Sequence, residues 1–321
     1  MRQAAESLDC RNWSEGPRRP APQKQKHLGV DKERIEVVQA PAWSELPWLM
    51  HGFSTRTGGK STAYRPDQPE GELNLGFTAS DSKETVLANR RLFVSAVAKT
   101  ADTPALVTLK QVHSSITHVV GKADADDVAK HKGDGMMTIE PGILLGIQTA
   151  DCIPVIIADR QKRAVAAFHA GWRGTLKRIV ESGVGRMRME FGSRPEDLIA
   201  AIGPGIGACC YAIGEEVQNE FESQFSYASE LFFEAYDSDP IKEKYPLLFL
   251  TARAPGHSNI GPKLHLDLVK ANGRQLLDAG LLADSIFVQG DCTSCRTDHY
   301  FSHRADHGFT GRSLSVIGIR A

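Results

Sequence analysis

The sequence predicts an α/β fold. Runs of strand length, rich in Val and Ile, recur at residues 105–120, 142–149, 153–158 and 163–168. Helical spacing of apolar residues follows a capping signal at Asp81–Glu84 and returns after Gly174. The two patterns mix without a strict βαβ rhythm.

The elements follow in chain order. Residues 1–34 are polar, carry Pro17, Pro20 and Pro22, and show no periodicity, which predicts a flexible extension. Order starts near Ile35, where Arg-Ile-Glu-Val-Val alternates like a strand. Asp81-Ser-Lys-Glu84 has capping-box spacing, with Ser82 as an alternative cap, ahead of a helix burying Val86, Phe93 and Val97. After the four strand runs, Gly174-Thr175 starts a helix to about Phe191, with Leu176, Ile179, Val180 and Met187 on its buried side. Leu198–Ile202 reads as a buried strand, Glu215–Phe225 and Leu264–Leu282 as helices, and Ser285–Gln289 and Leu314–Ile319 as closing strands. No repeat and no linker interrupts residues 35–321, so one domain is expected, with 226–262 as a surface insertion.

Composition narrows the function classes. The 321 residues are 41% hydrophobic and 24% charged, with a formal net charge of -1. That balance carries no electrostatic footprint for nucleic acid. No window reaches the ~18 apolar residues of a membrane span, and the N-terminus has no signal-peptide core. The cysteines at 10, 152, 209, 210, 292 and 295 are too sparse for a disulfide scaffold and fit reduced thiols in a cytoplasmic protein. A cytoplasmic enzyme, monomeric or a small homo-oligomer, is the expectation.

Three segments end in soft-metal ligands: Lys-Gln-Val-His113, Thr-Ala-Asp-Cys152 and Ala-Ala-Phe-His169. Each adjoins an apolar strand run, and strand ends that converge on one sheet edge are where metal sites are built. Two imidazoles and one thiolate leave a fourth position on zinc open, which points to chemistry rather than to a structural staple. Taken singly, each is as well read as a satisfied core residue.

Other segments are more ambiguous. In His169-Ala-Gly-Trp-Arg173-Gly-Thr175 a strand runs through small residues into a helix, which suits an anion or merely eases a turn. Gly203-Pro-Gly-Ile-Gly207 is no Walker A, and Pro204 spoils a dinucleotide fingerprint; its backbone approaches either a ligand or a neighbour. Cys209–Cys210 reads as two reduced thiols or a vicinal disulfide. Cys292-x2-Cys295-x3-His299-x3-His303 looks like a zinc knuckle, but three residues between the pairs leave little chain to fold back. Thr55-Arg56-Thr-Gly58-Gly59 and Asn74-Leu-Gly76 are turn signals.

Taken together, these segments carry a resemblance. Ser54-Thr-Arg-Thr-Gly-Gly59, Leu73-Asn-Leu-Gly76, Lys110-Gln-Val-His113, Gln148-Thr-Ala-Asp-Cys-Ile-Pro154 and His169-Ala-Gly-Trp-Arg-Gly174 occur in order. Ile202-Gly-Pro-Gly-Ile-Gly-Ala-Cys-Cys-Tyr211, Cys292-Thr-Ser-Cys295, Phe301-Ser-His-Arg304 and Thr310-Gly-Arg312 follow. The chain resembles the YfiH family, also called the laccase-domain or polyphenol oxidase family, now regarded as purine nucleoside phosphorylases. The resemblance implies a four-layer α/β/β/α sandwich with mixed sheets, and a zinc ion on His113, Cys152 and His169. It implies phosphorolysis of adenosine, inosine and methylthioadenosine, with adenosine deamination beside it. Charge then suggests Arg173, Arg304 and Arg312 as phosphate binders, with Arg56 and Asn74 as further substrate-binding candidates. Gly133-Asp-Gly-Met-Met-Thr138 departs from the family pattern with no expected consequence.

Other readings remain. Two His and one Cys also describe a copper centre, so copper is possible and a laccase-like polyphenol oxidase is an alternative. Multicopper oxidases need His-x-His pairs, however, and the sequence has none. Cys152 and His169 could instead serve a cysteine hydrolase, and a zinc-dependent interaction module is a fourth reading. Zinc deaminases of the cytidine type carry a Glu in a His-x-Glu motif. Here Ala-Gly follows His169 and Ser-Ser follows His113, which leaves Asp151 or His303 as substitutes.

Overall fold

A computed structural model describes residues 35–66, 70–100, 103–124, 131–235 and 263–321. The expected 1–34 extension and residues 236–262 of the expected insertion lie outside the described residues. The described chain falls into two compact units, a large one (35–207 with Leu268–Ala321) and a small one within Ala208–Asp267.

Along the chain, β1 (Val37–Val38), β2 (Leu49–Ser54) and β3 (Thr57–Ser61) precede helix α1 (Lys83–Ala98). Ser82, the alternative cap, is the N-cap: its hydroxyl accepts the Thr85 N–H at 3.0 Å. Val86, Phe93 and Val97 are buried under α1, as the periodicity predicts. The apolar run 105–120 is two strands, β4 (Ala105–Thr108) and β5 (Thr117–Val119), rather than one. β4 ends at Thr108, and in the loop that follows His113 adopts a left-handed conformation (φ 58°) that no extended strand admits.

Next come β6 (Gly135–Thr138), β7 (Ile143–Thr149), β8 (Ile153–Asp159) and β9 (Val165–Ala170). The helix expected over 174–191 is two, α2 (Trp172–Leu176) and α3 (Ile179–Phe191), broken where Arg178 turns left-handed at φ 55°. The break leaves Leu176 only half-buried, while Ile179, Val180 and Met187 are buried as expected. After β10 (Leu198–Ile202) and α4 (Glu215–Gln224), the expected helix 264–282 begins instead as a strand. In the small unit β12 (Lys263–Leu266) pairs antiparallel with β11 (Phe232–Ala235), and ladder hydrogen bonding overrides helical spacing there. Helix α5 covers only Leu268–Asp278; β13 (Ile286–Val288) and β14 (Ser313–Ile319) close the chain.

Two mixed sheets form the large unit. One has the order β1-β2-β14-β7-β4, the other β13-β10-β8-β9-β6-β5. Period-2 alternation gives each sheet two apolar faces. Ile143, Leu145, Ile147 and Ile317 of the first sheet pack with Ile156, Ala158, Val165 and Ala167 of the second in one core. On the opposite face of the first sheet, Leu144, Leu314 and Val316 meet Phe93, Val94 and Val97 of α1. Helices α3 and α5 pack against β9, β6 and β10 on the outer face of the second sheet. The order helix, sheet, sheet, helix is the expected four-layer α/β/β/α sandwich.

This topology gathers loops at one end. β4 and β7 run parallel, so both finish there, and each chain then crosses from the first sheet to the second. The β7–β8 crossing carries Cys152; the β4–β5 crossing carries His113. β9 runs antiparallel to β8, with Ile153 opposite Ala170, so His169 returns to the same end. β14 runs antiparallel to β7 and therefore starts there, just after Arg312.

Candidate active site

The three predicted ligands meet at this end. Their donor atoms all lie within 4.8 Å of one another. Cys152 Sγ is 3.9 Å from His113 Nε2, and the two imidazole rings pack edge to face with centroids 4.8 Å apart. Close approach is possible because Gly171 has no side chain: a Cβ there would sit 2.8 Å from the Cys152 sulfur.

Asp134 holds the arrangement together. One carboxylate oxygen accepts the Nδ1–H of His169 at 2.8 Å, which leaves Nε2 for a ligand. The same carboxylate accepts backbone N–H groups from His113 (3.0 Å) and Ser114 (2.6 Å), and the Ser114 hydroxyl. Its main-chain oxygen accepts the His169 N–H at 2.7 Å. Burial disfavours the Asp134 charge, but the hydrogen bonds from His169 and Ser114 outweigh it and hold the carboxyl at about 2. The sequence does not mark this residue as part of a site. Its one local signal is a carboxylate flanked by two glycines directly before a buried strand, the very segment noted as departing from the family pattern.

Electrostatics couple the pair beyond it. Burial opposes ionisation of both Cys152 and His169, yet each favours the other's charged form, and Asp134 adds to His169. The thiol is consequently pulled below its ordinary value and the imidazole raised. A low thiol suits a metal ligand, because the thiolate is the coordinating form.

Asp151 fixes the neighbouring loops. It is buried, left-handed at φ 89°, and its carboxylate accepts the Thr293 hydroxyl at 2.7 Å and the Arg304 N–H at 2.6 Å. Its carbonyl accepts the Ile206 N–H at 2.7 Å, and a Cβ on Gly205 would lie 3.0 Å from that oxygen. The glycine-rich loop therefore approaches a neighbour, the strand end that carries Cys152. Gln111 and Gln148 stitch the other two loops through paired bonds of 2.7 and 2.8 Å between the Gln111 amide and the Gln148 backbone.

A cleft of about 600 Å³ opens over the three donors, walled by Phe77, Leu109, Lys110, Gln148, His303 and Arg312 among others. Of the candidate substrate residues, Arg312 faces it. Asn74 does not line it; its side-chain oxygen accepts the Arg312 N–H at 2.9 Å and so places that residue. Arg56 lies elsewhere, 2% exposed, bonded to Glu72 at 2.6 Å and stacked on Phe301. Arg173 lies over the Trp172 ring, and Arg304 reaches the site region through its backbone N–H. The Cys292–His303 string does not act as one knuckle: His299 lies against Glu36 and Asp298, whereas His303 lines the cleft. Among the described residues, no disulfide joins Cys209 to Cys210. No helix of the described residues is long and apolar enough to cross a membrane.

Comparison with known proteins agrees with this architecture. The family described as multi-copper polyphenol oxidoreductase laccase matches residues 50–320. Purine nucleoside phosphorylase YlmD of Geobacillus stearothermophilus is 33% identical over 275 residues, 84% of this chain and 89% of that protein. Purine nucleoside phosphorylase YfiH of Escherichia coli is 30% identical over 280 residues, 87% and 97% of the respective chains. The crystal structure of a Bacillus licheniformis hypothetical protein YfiH superposes with a TM-score of 0.72 at 29% identity, covering 91% of this chain and 98% of that one. With the match spanning both sheets and the three strand ends that carry His113, Cys152 and His169, the chain belongs to the laccase-domain, or YfiH, family.

Proposed function

We propose that the protein is a purine nucleoside phosphorylase that works with zinc held by His113, Cys152 and His169. The observation that carries the reading is the convergence of three soft donors at the floor of an open, cation-walled cleft. The donor set fits zinc: a depressed thiol, and a His169 ring whose Nδ1 is taken by a carboxylate, as metal-bound histidines usually are. When bound, the ion supplies positive charge and Lewis acidity at an open coordination position.

The remaining chemistry belongs to side chains. In phosphorolysis a phosphate oxygen forms the bond to C1′ of the ribose as the C1′–N9 bond breaks, and the electron pair leaves with the purine. Arg312 and Lys110 line the cleft and would hold phosphate there, with the Arg312 backbone N–H donating to the Asn74 side chain. The departing purine needs a proton or a positive neighbour. Of the two groups open to that role, Asp151 has its carboxylate taken up by Thr293 and Arg304, while His303 lines the cleft. His303 is therefore the proton carrier in this reading. Adenosine deamination would use the same cleft with water in place of phosphate, with His303 standing in for the missing glutamate.

One observation favours a second reading. Asp134, His169 and Cys152 also form a carboxylate–imidazole–thiol relay of the kind that activates a cysteine nucleophile. Metal dependence separates the two. Zinc-loaded protein is incubated with adenosine, with and without phosphate, alongside chelator-stripped protein. Adenine and ribose 1-phosphate should appear only with phosphate and metal, and inosine should mark deamination. Turnover undiminished in stripped protein discards the zinc reading in favour of the thiol, and no turnover on any nucleoside discards the phosphorylase.

A further inference from the structure

Phe77 is an aromatic side chain in the cleft wall, and it is 45% exposed. An exposed Phe is ordinarily unremarkable. This one is held rigidly from behind. The Arg90 guanidinium lies over one face of its ring, 4.4 Å from the centroid. Arg90 is itself buried, at 6% exposure, and its Nε donates to the Leu75 carbonyl at 2.8 Å. Its Nη2 is buried and has no hydrogen-bond partner. Burying such a donor is costly unless something replaces its hydration, and the π face of Phe77 does so.

The consequence is a ring with one face fixed to a buried cation and the remainder turned to an open cleft. Thr78, the next residue and also in the wall, is tied through its hydroxyl to Tyr64. On the other side, the Leu75 N–H donates to the Arg312 carbonyl at 3.0 Å. The segment that presents Phe77 is thus anchored before and after the ring. The platform is pre-organised, so a planar ligand stacking on it loses little side-chain freedom. It also shares a wall with Arg312, the residue placed for an anion.

We infer that Phe77 is the platform on which the purine base of the substrate stacks, with Arg90 fixing the ring from behind. The inference rests on the phosphorylase reading for its substrate class. Aromatic stacking tolerates any base but favours the larger purine surface, whereas hydrogen-bond readout would discriminate adenine from hypoxanthine. A stacking platform therefore suits an enzyme that accepts both adenosine and inosine.

The test uses zinc-loaded wild-type protein and the variants Phe77→Ala, Phe77→Leu and Phe77→Tyr, each checked for an unchanged melting temperature. KM for adenosine and KM for phosphate are measured separately, and adenosine binding is measured by calorimetry without phosphate. Phe77→Ala should raise the adenosine KM and Kd roughly tenfold or more, as loss of one base–aromatic stack does. Phe77→Leu should lose most of that affinity despite its apolar bulk, Phe77→Tyr should keep it, and KM for phosphate should not move. Wild-type affinity for adenosine in Phe77→Leu would mean a generic apolar wall and overturn the inference. So would a phosphate KM that rises in parallel. If the wild type binds adenosine but does not cleave it, and Phe77→Ala weakens that binding, the phosphorylase reading fails while the platform stands. A wild type that does not bind adenosine overturns both.

Discussion

Asp134 shows how much one side chain can decide. A single buried carboxylate orients the His169 ring and sets the backbone of the segment that carries His113, so two of three donors depend on it. Asp134→Ala should lower zinc affinity ~10- to 100-fold, the usual effect of losing a group that orients a metal ligand. Competition with a colorimetric chelator measures it, and an unchanged affinity would remove Asp134 from the site. His51 makes a different residue-scale argument. Burial holds its imidazole down at about 4, with the Lys99 charge adding to the effect, and its Nε2 accepts the Ala40 N–H at 3.0 Å. Because the folded value is depressed, the unfolded chain binds the extra proton first as pH falls below 6.5. Stability from His51 is therefore complete above about pH 6.5 and is lost progressively toward pH 4, on the order of 3 kcal/mol. Denaturant titrations across that window should show the slope, and His51→Gln should flatten it. Neither residue announced its role locally: Asp134 lies 35 positions from His169 in the chain, and His51 sits in a run of strand residues.

At the scale of elements, caps and left-handed residues set the boundaries. Ser82 caps α1, which covers the outer face of the five-stranded sheet, so its loss should be felt globally. Ser82→Ala should cost about 1 kcal/mol in urea unfolding with an unchanged m-value. Helical spacing located α1, which buries one face, and continuous apolar runs located strands β7 to β10, which are buried on both faces. Both failed where the chain turns inside an apolar run. His113 and Arg178 carry positive φ values that hydrophobic spacing does not encode; one expected strand became two and one expected helix became two. Lys263–Leu266 became a strand because β11 offered it a ladder partner that only folding brings near.

Across the large unit, the site lies at loops that link the two sheets. His113 and Cys152 sit on separate crossings from the first sheet to the second, and His169 ends a strand of the second. A metal bound there ties these segments together in the folded state alone. Zinc at 100 times its Kd should thus stabilise the protein by about 2.7 kcal/mol, read as a rise in melting temperature over chelator-treated protein. Cys152→Ser should lose most of that rise, and a full rise in the variant would place the metal elsewhere. The chemistry of the three donors, the strand rhythm around them and the motif order were legible in the sequence, because they are local properties of residue type and spacing. The sequence alone therefore determined the family, the α/β class and the three candidate soft donors. Only the tertiary structure decided that Asp134 orients them, that Arg56 is bonded into the fold away from the cleft, and that Phe77 stands over Arg90 in its wall. Those outcomes depend on sheet pairing and side-chain packing between residues far apart in the chain, which no local pattern specifies.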